Sequence, residues 1–136
     1  MSSKIPFVLL IDDEGVDRMI YRRVLERSGL VGEITMFEYA DDALDFLKLT
    51  ERPKVDVIFL DINMPRMNGF EFLEAASREI GDNFADAVIV MLTTSLDPKD
   101  HDRAMGYDVV KDFINKPLTI EHVQQVAKLL RDGDGL

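Results

Sequence analysis

Four short apolar runs, each stopped by a polar residue of a different kind, constrain the fold of this chain more than any other feature. Residues 7–11 end at Asp12-Asp13, residues 55–60 at Asp61, residues 88–92 at Thr93-Thr94, and Phe113-Ile114 at Asn115-Lys116-Pro117. Runs of this length, rich in β-branched residues and separated by helical periodicity, read as buried strands of a parallel sheet. Such sheets bind ligands just beyond the carboxyl ends of their strands, so the four polar stops are expected to converge there. Carboxylates, a hydroxyl and an ammonium gathered at one rim make a site for a divalent cation and a phosphoryl group.

Helical patterns fill the intervals. Residues 16–28 place Val16, Met19, Ile20 and Val24 at helical spacing as the apolar face of a first helix, and Gly29 follows where a left-handed end is common. A weaker strand, 33–37, precedes a helix over 40–49 with Ala43, Leu44, Phe46 and Leu47 on one side. Residues 64–69 form a loop by their turn residues, and a helix over 70–80 follows, closed by Gly81. A strand over 87–92 leads to Asp97-Pro98, an N-cap and first helical residue for a short helix reaching Met105. The last strand spans 112–115. Thr119 then caps a helix carrying Ile120, Val123, Val126, Ala127, Leu129 and Leu130, with residues 131–136 as a tail. Five strands alternating with five helices predict an α/β fold: a doubly wound, flavodoxin-like (βα)5 parallel sheet of order 2-1-3-4-5, with residues 1–136 as one domain.

Charge and composition narrow the function classes. Lys and Arg number 16 against 26 Asp and Glu, a formal charge of -10, which argues against binding to a nucleic acid backbone. The absence of cysteine removes disulfides, thiol chemistry and Cys-based zinc sites. His101 and His122 lie in different helical segments without metal-ligand neighbours, and solvated or capping roles are expected for both. No apolar stretch is long enough to span a bilayer, and residues 1–4 lead straight into the first strand, so a soluble, cytoplasmic protein without membrane insertion is expected.

In the order 2-1-3-4-5, strands one and three are neighbours, and Asp12, Asp13 and Asp61 crowd one edge of the crevice. Like charges packed so closely are relieved by a proton or a cation. Oxygen-only ligands on a loop-rich rim suit Mg²⁺, with Mn²⁺ as a substitute. Asp61 is the candidate nucleophile: a carboxylate takes a phosphoryl group as an acyl phosphate when nearby cations neutralise the transferring oxygens. Lys116 would supply the fixed cation and Thr93 a hydroxyl to the same oxygens. Taken singly, the aspartates read as helix caps or turn openers, Thr93 as a strand-end cap and Lys116 as a solvated charge. Their positions at four strand ends facing one crevice favour the joint reading.

These residues resemble the receiver domain of two-component response regulators over nearly the whole chain: an Asp-Asp pair after strand one, Asp61 followed by Ile-Asn-Met-Pro-Arg-Met-Asn-Gly, Thr93 after strand four, and Lys116-Pro117 after strand five. The resemblance implies that Asp61 is the phosphoacceptor and that Asp13, Asp61 and the backbone carbonyl of Asn63 bind Mg²⁺, with Asp12 supporting the metal site. It implies that Thr93 and Lys116 bind the phosphoryl group, that the Lys116–Pro117 peptide is cis, and that Thr93 and Phe113 form the switch. The phosphodonor is expected to be a histidine kinase or histidine phosphotransfer protein, docking on the first helix where Arg18, Arg22, Arg23 and Arg27 stand. Since no output region is read in the sequence, output is expected through an unidentified downstream protein, or the chain serves as a relay or phosphate sink. The chain departs from the family at Phe113, where many relatives carry Tyr, and at Val109-Val110, where a Gly-Ala pair is usual. The connection before strand five is therefore expected to differ in shape.

Two other functions compete. A haloacid-dehalogenase-like phosphatase also uses a nucleophilic Asp, a Thr or Ser, a Lys and Mg²⁺, but wants an acid two residues after the nucleophile, where this chain has Asn63. A flavodoxin-like FMN module would offer amides and hydroxyls after strand one, where two aspartates would repel the phosphate. The expectation is a switch that catalyses only its own phosphorylation and dephosphorylation, not an enzyme acting on other substrates.

Overall fold

The computed structural model describes residues 4–81 and 87–134 of the 136-residue chain. Strands β1 (Ile5–Ile11), β2 (Val31–Phe37), β3 (Val57–Asp61), β4 (Val88–Thr93) and β5 (Val110–Asn115) alternate with helices α1 (Gly15–Arg27), α2 (Ala40–Lys48), α3 (Gly69–Glu79), α4 (Pro98–Met105) and α5 (Ile120–Asp134). Every pairing is parallel and the order is β2-β1-β3-β4-β5, the topology predicted from the alternation of patterns. The stretch 131–134, read as tail, continues α5.

Burial follows position in the sheet. Central β3 is enclosed on both faces, with Ile58 and Leu60 turned to the layer of α2, α3 and α4, and Val57 and Phe59 to the layer of α1 and α5. Each such side chain taken from water stabilises the fold by roughly 1.5–3 kcal/mol. Edge strand β2 is only half buried, which explains its weak pattern.

Helix α1 corrects one expectation. Val16, Met19 and Ile20 are 62%, 51% and 46% exposed, whereas Tyr21 and Leu25 are buried among Val8, Leu10 and Val123 and Val24 packs at their margin. Arg18 fixes this rotation: its Nη1 donates to the Asp12 carbonyl at 2.7 Å, so positions 18, 21 and 25 form the inward stripe. Gly29 ends the turn after α1 with φ 71°, as its spacing suggested.

The starts of α3, α4 and α5 carry side-chain caps. Asn68 Oδ1 accepts from the Glu71 amide at 2.9 Å while Glu71 Oε1 accepts from the Asn68 amide at 3.0 Å, a reciprocal capping box. Gly69 then sits so close to the sheet that a Cβ there would lie 2.6 Å from the Asp61 carbonyl oxygen. The Asn-Gly of the loop thus brings α3 against the end of β3. Asp97 Oδ1 caps α4 through the Lys99 amide at 2.9 Å. Thr119 and His122 cap α5 reciprocally, at 3.0 and 3.3 Å, which gives His122 the capping role expected of it.

The connection before β5 enters the sheet through an irregular pairing. Val110 lies opposite Ile89 and Asp112 opposite Val90, so Lys111 is an extra residue in the pairing, a bulge. Val110 is buried there. Upstream, the Tyr107 hydroxyl donates to Glu74 Oε1 at 3.0 Å and its ring stacks on Phe70 at 6.4 Å, tying the connection to α3.

Candidate functional site

The predicted polar stops meet at the carboxyl end of the sheet. Asp12 continues β1 through its amide to the Phe37 carbonyl at 3.1 Å and is fully buried. Its Oδ1 accepts from the Glu14 amide at 2.9 Å and its Oδ2 from Lys116 Nζ at 2.9 Å. Carboxylate oxygens of Asp12, Asp13 and Asp61 lie within 4.8 Å of one another. Register explains why: β1 and β3 are hydrogen-bonded neighbours ending side by side, Ile11 opposite Leu60.

Lys116 reaches this cluster from the far edge. Its amide donates to the Thr93 carbonyl at 2.8 Å and the peptide to Pro117 is cis, as the resemblance implies. The side chain is 9% exposed, and its ammonium lies 2.9 Å from Asp12, 3.0 Å from Asp17 and 3.4 Å from Asp61. Thr93, fully buried, ends β4 one residue past Leu92, the residue paired with Asp61. Its Oγ1 accepts from the Ser95 amide at 2.9 Å, which orients the hydroxyl and leaves its proton to donate. Ser95 in turn donates from Oγ to Asp100 at 2.7 Å.

The electrostatics show why the cluster could hold a cation. Burial first, then Asp12 and Asp13, push the Asp61 carboxyl from its ordinary 3.8 up to about 7 although Lys116 pulls the other way. Asp12 is also raised, by burial acting against its hydrogen bonds from Glu14 and Lys116. Burial opposes the charge on Lys116, yet the hydrogen bond to Asp12 and the carboxylates of Asp61 and Asp17 hold its pKa above the usual value. One ammonium therefore does not balance three crowded carboxylates. A hard divalent cation with oxygen ligands fits the donor set.

Two further predicted residues lie on the neighbouring loop and strand. Asn63 is exposed on the loop two residues after Asp61. Phe113 is half buried, pairs with Met91 across β4–β5, and so shares the face on which Thr93 stands two residues further on. His101 is solvated as expected, with its side chain 55% exposed, and its ring also meets the Phe113 ring edge-on at 5.1 Å.

The sequence reading missed Asp17 and Arg66 as contributors and gave Arg18 a docking role only. Asp17 and Arg18 both face the site from the first turn of α1, a turn after Asp13, and that spacing was the available signal. Arg66, with φ 69°, pairs with Asp41 and lies 4.1 Å over the Tyr39 ring, clasping the loop after β3 to α2. A cavity of about 640 Å³ lined by Leu47, Arg52, Val55 and Ile80 lies away from these groups, beside the start of β3.

Comparison with known proteins agrees with this architecture. Residues 8–128 match the family model described as response regulator receiver domain. A probable methanogenesis regulatory protein, FilR2, of Methanothrix harundinacea is 30% identical over 131 residues, 93% of this chain and 83% of that protein. The two-component response regulator ORR1 of Oryza sativa subsp. indica is 31% identical over 126 residues, and there the chain spans about half the relative, 53%. A crystal structure of a two-component response regulator from Cytophaga hutchinsonii superposes with a TM-score of 0.84 at 26% identity, covering 94% of this chain and 98% of that one. With its order β2-β1-β3-β4-β5 and its acids, threonine and lysine at the strand ends, the chain belongs to the response regulator receiver domain family.

Proposed function

We propose that Asp61 accepts a phosphoryl group from the phosphohistidine of a histidine kinase or histidine phosphotransfer protein, and that the phosphorylated form signals by contact with another protein. The observation that carries this reading is the Asp61 carboxylate flanked by Asp12 and Asp13, with the Lys116 ammonium at 3.4 Å. In the step, an Asp61 oxygen forms a bond to phosphorus as the phosphorus–nitrogen bond of the donor breaks. The electron pair stays on the imidazole nitrogen. Lys116 and the Thr93 hydroxyl sit where charge on the transferring oxygens develops. Asp12, Asp13, Asp61 and the Asn63 carbonyl would hold Mg²⁺, which when bound neutralises the remaining negative charge of the carboxylates and phosphoryl oxygens.

Thr93 and Phe113 on one face of the sheet would carry the change outward, Phe113 following the hydroxyl as it engages the new phosphoryl oxygen. Asn63 at the second position after Asp61 supplies no acid for a leaving group, which favours self-phosphorylation over turnover of other substrates. Among the described residues no helix is long and apolar enough to cross a membrane, which agrees with a donor and listener met in the cytoplasm. The exposed apolar stripe of α1, beside Arg22 and Arg23, supplies the docking surface for the donor.

Intact-mass measurement with Mg²⁺ and acetyl phosphate tests the assignment. One labile phosphoryl adduct is expected, abolished by Asp61→Asn. An undiminished adduct in that variant would move the acceptor to another residue.

A further inference from the structure

Within the site just proposed, one carboxylate has no assigned part. Asp17 stands in the first turn of α1, outside the Asp12–Asp13–Asp61 cluster, and accepts a hydrogen bond from Lys116 at 3.0 Å. That is shorter than the 3.4 Å from the same ammonium to Asp61. An ammonium has three protons to donate. Here one is spent on Asp12 and one on Asp17, and the contact with the acceptor carboxylate is the longest of the three.

A phosphoryl group on Asp61 would claim this same ammonium, and one of the existing partners would give way. The two differ in what release costs them. Asp12 is fully buried and would be left with only the Glu14 amide to compensate its charge, away from water. Asp17 is 30% exposed, so water replaces the lost bond. The Asp17 bond is thus the one that opens.

From this geometry we infer that Asp17 is a positioning residue that draws the Lys116 ammonium away from Asp61 in the unphosphorylated protein and releases it when a phosphoryl group arrives. The inference rests on the phosphoacceptor reading of Asp61. Asp17 therefore sets how readily the protein is phosphorylated and how tightly it holds the product, without touching the phosphoryl group. Its own negative charge, one turn from the rim, adds to the barrier against an incoming anion.

Asp17→Asn keeps the side-chain shape and removes the charge. Phosphorylation by acetyl phosphate at low donor concentration is expected to quicken about tenfold, the ratio that one charged hydrogen bond's difference sets, and beryllofluoride is expected to bind tighter by a similar factor. Asp17→Glu is expected to return both toward the wild-type values, because the longer carboxylate still reaches the ammonium. A gain of this kind does not arise from a misfolded variant.

A readout without metal or donor completes the test. Asp17→Asn is expected to shift the urea midpoint of the wild-type background more than that of a Lys116→Met background, where only the helix-dipole contribution of Asp17 is lost. An unchanged or slower phosphorylation of Asp17→Asn, or equal midpoint shifts in both backgrounds, would overturn the inference. If the wild-type protein takes up no phosphoryl group while the midpoint shifts still differ between backgrounds, the acceptor assignment has failed and the Asp17–Lys116 pairing has not.

Discussion

Helices α1 and α5 lie side by side on one face of the sheet, yet they are held there by different means. Helix α5 docks by the rule its sequence announces: Val123, Val126 and Ala127 recur at helical spacing and all three are buried. Helix α1 buries Tyr21 and Leu25 in its last two turns but leaves Val16, Met19 and Ile20 largely in solvent. Its first turn is instead fastened by polar contacts, Arg18 to the Asp12 carbonyl and Asp17 to Lys116. The difference shows that an apolar stripe on a helix next to a charged site has two possible destinations, the core or a partner. Apolar spacing alone does not choose between them.

Removing the apolar anchor of α1 gives the largest expected effect. Leu25 is fully buried between β1 and α5, so Leu25→Ala loses both its transfer free energy and the packing around the cavity left behind. A loss of about 3 kcal/mol is expected in urea denaturation. A loss below about 1 kcal/mol would mean that α1 is held mainly by its polar first turn, and the contrast with α5 would widen.

The charged site beside the first turn of α1 responds to pH where the apolar anchor does not. With the Asp61 carboxyl raised from 3.8 to about 7, the folded protein keeps a proton there that the unfolded chain releases at lower pH. Protons bound in the folded state exceed those in the unfolded state between those two values. The Asp61 contribution therefore favours folding at low pH and is lost as pH rises through about 7. Asp61→Asn removes this dependence. Relative to wild type, the variant is expected to gain about 2 kcal/mol of stability on going from about pH 5 to about pH 8, read by thermal or urea unfolding. The effect of Leu25→Ala is expected to stay constant over the same range. A flat difference between Asp61→Asn and wild type would mean that the carboxyl ionises freely and that the crowding is already relieved by Lys116.

These contrasts mark how much of the molecule was legible in the sequence. The strands and their order were readable because residues 57–60 and 88–92 are apolar without interruption, as two-sided burial demands, and each ends on a polar residue. Asp12, Asp13, Asp61 and Lys116 were readable as a group because strand order alone brings their strand ends together. The rotation of α1 was not readable, since it depends on Arg18 reaching a backbone carbonyl that only the folded sheet presents. Asp17 was passed over for a different reason: its spacing from Asp13 was visible, but an acid in the first turn of a helix is ordinarily explained by the helix dipole. The form of the connection before β5, a bulge at Lys111 with Tyr107 tied to Glu74, was not readable, because it required the strand register.

The smallest stability effect is expected on the exposed stripe, and it separates docking from folding. Ile20 is 46% exposed, so Ile20→Ser is expected to alter unfolding by less than about 0.5 kcal/mol. If the stripe meets the phosphodonor, the same change removes apolar area from that interface and slows phosphotransfer from a phosphorylated histidine phosphotransfer protein. Roughly 1 kcal/mol of lost apolar contact corresponds to about a fivefold change in rate. Acetyl phosphate needs no docking surface, so its rate with Ile20→Ser is expected to match wild type. Equal losses with both donors would place the effect at the Asp61 site and deny the stripe a docking role. A slower protein donor beside an unchanged small donor would assign the outward apolar face of α1 to recognition, leaving Tyr21 and Leu25 to hold the helix.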